Sequence, residues 1–380
     1  MAPLPPDLHI PPSGCTVDVS IVDTTSIIRG IATSAFLSPP IRGHDYLAAP
    51  CFSFLIQHPT LKRTVVFDLG VRKDHWNFSP ALLSRLKERG YEIHVQKGVR
   101  DILNEHGVDT TAIEAVIWSH WHFDHTGNPA TFEPATTLIV GPGFKSHMMP
   151  GYPAGPGSPI LETDYAGRQL REMADKDFSL RIGRFRAFDY FGDGSFFLLD
   201  APGHAIGHLC AFARVTSNPD SFIFMGGDSY HHGGEIRPSP YMPLPEFISP
   251  HPFLLPTAWA SLPSPVCPGS LFEKLSPLPN GGEKRPFYEP AREGGVNFDV
   301  DEAIRTIKKL QEADVADNVF VASAHDVSLL GVVDFFPAKA NDFMDRDWVR
   351  KCRWRFLRDF AVAVGRADEV QGRVDWGPSA

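Results

Sequence analysis

The sequence predicts an α+β protein built in layers. Short apolar runs rich in β-branched and aromatic residues alternate with amphipathic helical patterns, and they do so in two comparable halves of the chain. Residues 1 to about 14 are crowded with proline and read as an extended arm laid on the surface. Residues 15–380 then read as one domain. Thr16–Ile28, Cys51–Ile56 and Thr64–Asp68 are the early strands, because residues branched at Cβ suit a pleated, half-buried surface. Val99–Asn104 followed by Glu105-His106-Gly107 reads as a short helix closed by glycine. It leads into the apolar run Ala115-Val116-Ile117-Trp118. A second set of strands covers Thr137–Val140, Arg186–Tyr190, Ser195–Asp200, Leu209–Arg214 and Phe222–Met225. Asp299 or Asp301 caps a helix that carries Ala303, Ile304, Ile307 and Leu310 on one face, and a last helix runs through Trp348, Trp354, Phe356 and Phe360. Two inserted regions, at about 143–177 and 237–290, interrupt the pattern. The second is rich in proline and large apolar residues such as Phe247, Phe253, Trp259 and Phe272, and is expected to wall a cleft.

Composition narrows the function classes. A net charge of −9 argues against a surface that tracks nucleic-acid phosphates. The five cysteines are odd in number and scattered without metal-like spacing, so reduced thiols and a cytosolic location are expected. The start has no apolar signal-peptide core and no stretch reaches the length of a membrane span, so a membrane partner is not expected. The sequence leaves the oligomeric state open.

The chemistry is concentrated in His120-Trp121-His122-Phe123-Asp124-His125, which follows the apolar run directly. Histidines at i and i+2 point to opposite faces of a continuing strand, so they share one ion only where the chain turns, and Gly127-Asn128-Pro129 supplies a turn. Imidazole and carboxylate donors suit zinc, and also iron or manganese. Further candidates also follow apolar runs. They are His204 and His208 in Pro202-Gly203-His204-Ala205-Ile206-Gly207-His208, Asp228 after Phe222–Met225, and His325 after Val319–Ala324.

These motifs together resemble the metallo-β-lactamase superfamily, over most of the chain, and look most like its fungal lactonase and lactamase-like members. The resemblance implies a four-layer αββα sandwich. It also implies one metal held by His120, His122 and His204, a second held by Asp124, His125 and His325, and Asp228 between them. Two zinc ions, with iron or manganese as substitutes, would then generate a bridging hydroxide, and Asp124 would carry a proton. Asp68-Leu69-Gly70 resembles the motif whose aspartate supports the metal site from behind, and His208 reads as a packing or supporting residue.

In the lactonases of this superfamily a tyrosine three residues after the bridging aspartate stabilises the oxyanion; here Tyr230 lies two residues after it. A one-residue shift on an extended segment turns a side chain to the other face, so Tyr230 and His231 stand as competing candidates. The resemblance thus implies hydrolysis of a small cyclic ester or amide, a lactone or lactam, of the kind found among plant and microbial defence compounds. The alternative is a thioesterase of the glyoxalase II type, for which Lys308, Lys309 and Lys351 would supply a basic patch.

Overall fold

A computed structural model describes residues 3–259, 266–275 and 284–379. Two mixed sheets stack face to face. The first contains β1 (Asp18–Ala32), β2 (Tyr46–His58), β3 (Arg63–Phe67), β4 (Glu92–His94), β5 (Ile113–Ile117), β6 (Thr137–Val140) and β7 (Leu170–Glu172), in the spatial order β4-β1-β2-β3-β5-β6-β7. The second contains β8 (Leu180–Ile182), β9 (Phe185–Asp189), β10 (Phe196–Asp200), β11 (Leu209–Thr216), β12 (Ser221–Met225) and β13 (Val319–Ala322), in the order β13-β12-β11-β10-β9-β8. β1 runs past the expected Ile28 to Ala32, because irregularities after Asp23 and Ile28 bend the strand and let pairing with β2 resume.

The period of two along each strand produces the four layers. Phe196 and Leu198 of β10 face inward, where they join Ala211 and Ile223 against Phe54, Ile56, Val65 and Phe67 of the first sheet. Phe197 and Leu199 face outward and pack on Ile307 and Leu310 of the helix Val300–Asp314. On the opposite flank Leu55, Val66 and Val116 pack on Ile102 and Leu103 of the helix Val99–Glu105. Strands buried on both faces read as continuous apolar runs, which is why Phe196–Leu199 and Phe222–Met225 show no alternation in the sequence.

Residues 3–14 form no regular element. The Leu8 carbonyl accepts from the Gly183 amide at 2.6 Å and the Pro11 carbonyl accepts from Arg214 Nη2 at 2.6 Å, which lays the arm along the second sheet. The helix Val300–Asp314 is capped by Asp299, whose Oδ1 accepts from the Glu302 amide at 2.9 Å; Asp301 is exposed and pairs with Arg292. Asp299→Ala is expected to lower the unfolding free energy by about 1 kcal/mol and Asp301→Ala by less than half of that, as read from the urea midpoint of each variant.

The expected last helix is two elements. An α-helix covers Trp348–Arg353 and a 3₁₀ segment covers Arg355–Phe360. Residues at i and i+2 cannot share a helical face, so burying Trp354 and Phe356 together requires the break, and Arg355 holds it by donating to the Ser328 and Leu330 carbonyls. No described helix is long and apolar enough to cross a membrane.

Register brings the candidate residues to one end of the sandwich. β3 and β5 are parallel with Phe67 opposite Ile117, so Asp68 and the His120–His125 loop leave the sheet side by side. β12 and β13 are parallel with Met225 opposite Ala322, so Asp228 and His325, each three residues further on, also emerge together. His204 sits in the loop from β10 to β11 at that same end. Sites outside the carboxyl ends of parallel strands are a general consequence of such sheets.

Candidate metal centre

The seven ligand candidates form two groups that meet at Asp228. His120, His122, His204 and Asp228 make the first, and His125, His325 and Asp228 the second, with Asp124 beside His325. His122 Nδ1 lies 2.9 Å from both His120 Nε2 and His204 Nε2. Asp228 Oδ2 is 3.5 Å from His204 Nε2 and 3.8 Å from His120 Nε2, while its Oδ1 is 3.1 Å from His125 Nε2 and 3.3 Å from His325 Nε2. Asp124 Oδ2 is 3.4 Å from His325 Nε2.

The hydrogen bonds behind these rings decide where their protons sit. Ser119 Oγ donates to Asp68 Oδ2 at 2.7 Å, so it accepts from His120 Nδ1 at 3.0 Å. His125 Nδ1 donates to Asp68 Oδ2 at 2.9 Å, His325 Nδ1 to the Pro50 carbonyl at 2.7 Å, and His204 Nδ1 to Asn297 Oδ1 at 3.0 Å. Each of the four rings therefore carries a proton on Nδ1 and turns Nε2 into the site, as a lone pair wherever the ring is neutral. His125 Nε2 and Asp228 Oδ1 are buried without a hydrogen-bond partner among the described residues. Acceptors facing acceptors across about 3 Å repel unless a cation or a proton lies between them, so the donor set fits a bound metal.

Asp68 reaches this arrangement in a left-handed backbone conformation, φ 61°, held by the Ser119 amide, which donates to its Oδ1 at 2.6 Å. His208 plays a supporting part: its Nδ1 donates to the Ala201 carbonyl, and its Nε2 accepts from the Asp228 amide at 3.0 Å. Gly227, at φ 51°, makes room for that contact, since a Cβ there would lie 2.8 Å from His208 Nε2. Gly203 is required for a different reason: a Cβ would lie 2.2 Å from the Ala303 amide nitrogen where the helix Val300–Asp314 begins.

Burial dominates the electrostatics of the first group. It pushes His122 down to about 4 and His204 and His120 well below the ordinary imidazole range, which keeps all three neutral and able to ligate. In the second group burial acts the same way, but neighbouring carboxylates outweigh it. Asp228 and Asp68 hold His125 well above its usual value, and Asp228 and Asp124 do the same for His325. The negative charge concentrated there is what a cation would neutralise in place of protons.

A cavity of about 260 Å³ opens over the cluster, lined by His122, Asp124, His204, Asp228, His231 and His325 at its base. Its walls are Phe36, Leu47, Trp121, Phe123 and Val296, with Leu82, Arg85, Leu86 and Arg89 from the helix Pro80–Glu88 and its end. Of the described residues in 237–290, none lines it; Ile248, Phe253, Phe287 and Tyr288 pack with Phe356 and Phe360 in the core that also takes in the wall residues Leu47, Leu82 and Leu86. The described apolar residues of that stretch are thus buried behind the wall and against the C-terminal elements, and do not face the cavity. The other inserted region contributes Pro159 to the cavity and the strand β7 to the first sheet.

Tyr230 and His231 face opposite ways. The Tyr230 hydroxyl points to Asp326 Oδ2 at 3.4 Å, its ring joins the cluster around Ile307 and Leu310, and it does not line the cavity over the metal groups. His231 lines that cavity, with Nε2 3.3 Å from Asp228 Oδ2 and no hydrogen-bond partner among the described residues. Glu235 accepts from the His231 and His232 amides at 2.6 and 3.3 Å and so fixes the turn that aims the ring. His44, His232 and Asp359 form a further cluster. There His232 Nδ1 accepts from the Gly234 amide, which leaves the proton on Nε2 toward Asp359 and makes the group a hydrogen-bonded network.

A fold of two sheets between helices with a His/Asp centre at one end defines a class of hydrolase. Residues 47–216 match the model of the metallo-β-lactamase superfamily. The chain is 47% identical over 380 residues to a protein of Fusarium pseudograminearum named gamma-lactamase FDB1, covering 98% of this chain and 89% of that one. It is 41% identical over 372 residues to the metallo-hydrolase mfmC of Annulohypoxylon moriforme, covering 97% and 94%. In fold it is similar to an N-acyl homoserine lactone hydrolase solved with its product, with a TM-score of 0.54 and 14% identity over 86% of this chain and 99% of that one. The chain belongs to the metallo-β-lactamase superfamily.

Proposed function

We propose that this chain opens the ring of a small lactam or lactone by hydrolysis, with two metal ions, zinc in the first instance, held by His120, His122 and His204 and by Asp124, His125 and His325, and bridged by Asp228. The observation that carries the reading is the convergence of five imidazoles on one carboxylate, with their outer ring nitrogens already committed as donors wherever a partner is present, beneath a cavity with apolar walls. Two such ions would supply positive charge to polarise the scissile carbonyl and to make water acidic enough to attack it near neutral pH. The relatives named for lactamase and metallo-hydrolase activity support the substrate class.

The chain's own residues divide the remaining work. Phe36, Trp121, Phe123 and Leu86 exclude water and hold an apolar ring over the centre. Asp124 faces both the cavity and His325, where it can accept the proton of the attacking water and pass it to the departing nitrogen or oxygen. His231 offers its Nε2 beside Asp228 as the donor to the oxygen that gains charge. His231→Gln is expected to lower kcat on the order of 100-fold with metal content unchanged, whereas Tyr230→Phe leaves kcat within about threefold. Equal losses in the two variants would remove His231 from this role.

The thioesterase alternative gains nothing from the lysines that motivated it. Lys309 lies over the Phe185 ring, Lys351 donates to the Arg346 carbonyl, and neither they nor Lys308 line the cavity. The direct test is turnover of matched lactams, lactones and thioesters with the ring-opened acid quantified. Faster release from the thioester than from either ring would overturn the proposal.

A further inference from the structure

We propose that Cys51 is a ligand of the second metal position, beside Asp124 and His325; this rests on the dinuclear reading above. Sequence spacing gives no reason to link this thiol to the centre, since it lies on β2, far along the chain from every ligand motif. In the fold its Sγ, an Asp124 carboxylate oxygen and a His325 ring nitrogen all lie within 4.8 Å of one another. Bonds of about 2.0–2.3 Å from zinc to nitrogen, oxygen and sulfur place two ligands of one ion at most about 4.6 Å apart, so a small settling of the side chains lets the three share an ion.

The placement is built into the backbone. The Pro50 carbonyl, next to Cys51, accepts from His325 Nδ1 at 2.7 Å, and the Phe52 amide donates to the Ala324 carbonyl at 2.9 Å. The residues on either side of Cys51 thus clamp the segment that carries His325, while Thr24 Oγ1 donates to the Cys51 carbonyl itself at 2.7 Å. A second observation points to a ligand at the same spot. His125 Nε2 and Asp228 Oδ1, both more than nine-tenths buried and without a hydrogen-bond partner among the described residues, form the neighbouring group that shares His325, with Asp228 Oδ1 3.3 Å from His325 Nε2. Cys51 is fully buried.

Coordination would exchange the S–H bond for a sulfur–metal bond and release one proton to solvent. The two positions would then differ chemically. The first is dominated by neutral imidazoles, while the second combines carboxylates, imidazoles and a thiolate, a softer and more negative set that favours zinc, cobalt or cadmium over manganese.

The test is cobalt substitution of the full-length protein. Two cobalt ions per chain with a sulfur-to-cobalt charge-transfer band in the near ultraviolet is the expected result. Cys51→Ser should abolish that band, keep the visible ligand-field bands, and weaken binding of one cobalt by tenfold or more, whereas Cys15→Ser should change none of these. Two cobalt ions bound with no charge-transfer band in the unaltered protein, or a band that survives in Cys51→Ser, would overturn the assignment and leave the dinuclear reading intact. Failure to bind cobalt at all would overturn both. The wild-type spectrum decides the matter even if Cys51→Ser does not fold.

Discussion

Asp228→Asn is expected to reduce turnover by well over 100-fold and to leave at most one metal per chain, a larger effect than the 10–100-fold typical of residues that merely support ligands. Among the described residues the carboxylate is the one group shared by both clusters, with one oxygen toward His120 and His204 and the other toward His125 and His325. Asparagine keeps the shape and still allows its backbone amide to donate to His208, so folding should be little disturbed. It removes the negative charge and offers an amide nitrogen where an oxygen faced a lone pair. Metal content and kcat measured on the same preparation check this. Full metal content with normal turnover would show that Asp228 bridges nothing.

Asp68→Ala is the second large effect, and it acts at one remove. Asp68 touches no position over the cavity, yet its carboxylate accepts from the Ser119 amide, the Ser119 hydroxyl and His125 Nδ1. Without it His125 loses the partner that orients its ring, the Ser119 hydroxyl behind His120 loses the acceptor that fixes it, and a buried amide is left unpaired at a cost of about 1–3 kcal/mol. The zinc concentration for half-maximal activity should rise about 10–100-fold, with kcat largely restored in excess zinc. Asp68→Asn, which retains an acceptor and tolerates the left-handed backbone, should recover part of the loss. An unchanged zinc titration in Asp68→Ala would mean that the histidines do not depend on this support.

The candidate ligands were legible because each follows an apolar strand, and parallel register then carries strand ends to one place; Met225 opposite Ala322 is enough to align Asp228 with His325. The supporting atoms were not. Pro50 acts through its carbonyl, Ser119 through a hydroxyl wedged between two polar partners, and Asn297 through one contact made across the fold to His204, and none of these leaves a spacing in the chain. The cavity wall was misplaced for a related reason. Apolar content in 237–290 shows that a stretch will be buried, but not against what, and Phe253, Phe287 and Tyr288 found the C-terminal elements instead. The wall formed by Leu82 and Leu86 comes from the short amphipathic helix Pro80–Glu88, whose apolar face looks like ordinary packing until the cleft beside it is known. Tyr230 and His231 do face different ways, but after a turn at Gly227-Asp228-Ser229 and not along the extended segment on which the expectation rested.

The most direct measurement is elemental analysis of the protein purified without added metal, followed by chelation and zinc add-back with ring-opening of a lactam or lactone as the readout. The account predicts two zinc ions per chain, loss of hydrolysis when they are removed, and recovery in proportion to the zinc restored. A chain that lacks metal yet opens the ring at full rate, or one that holds two zinc ions and hydrolyses no ring, would contradict it.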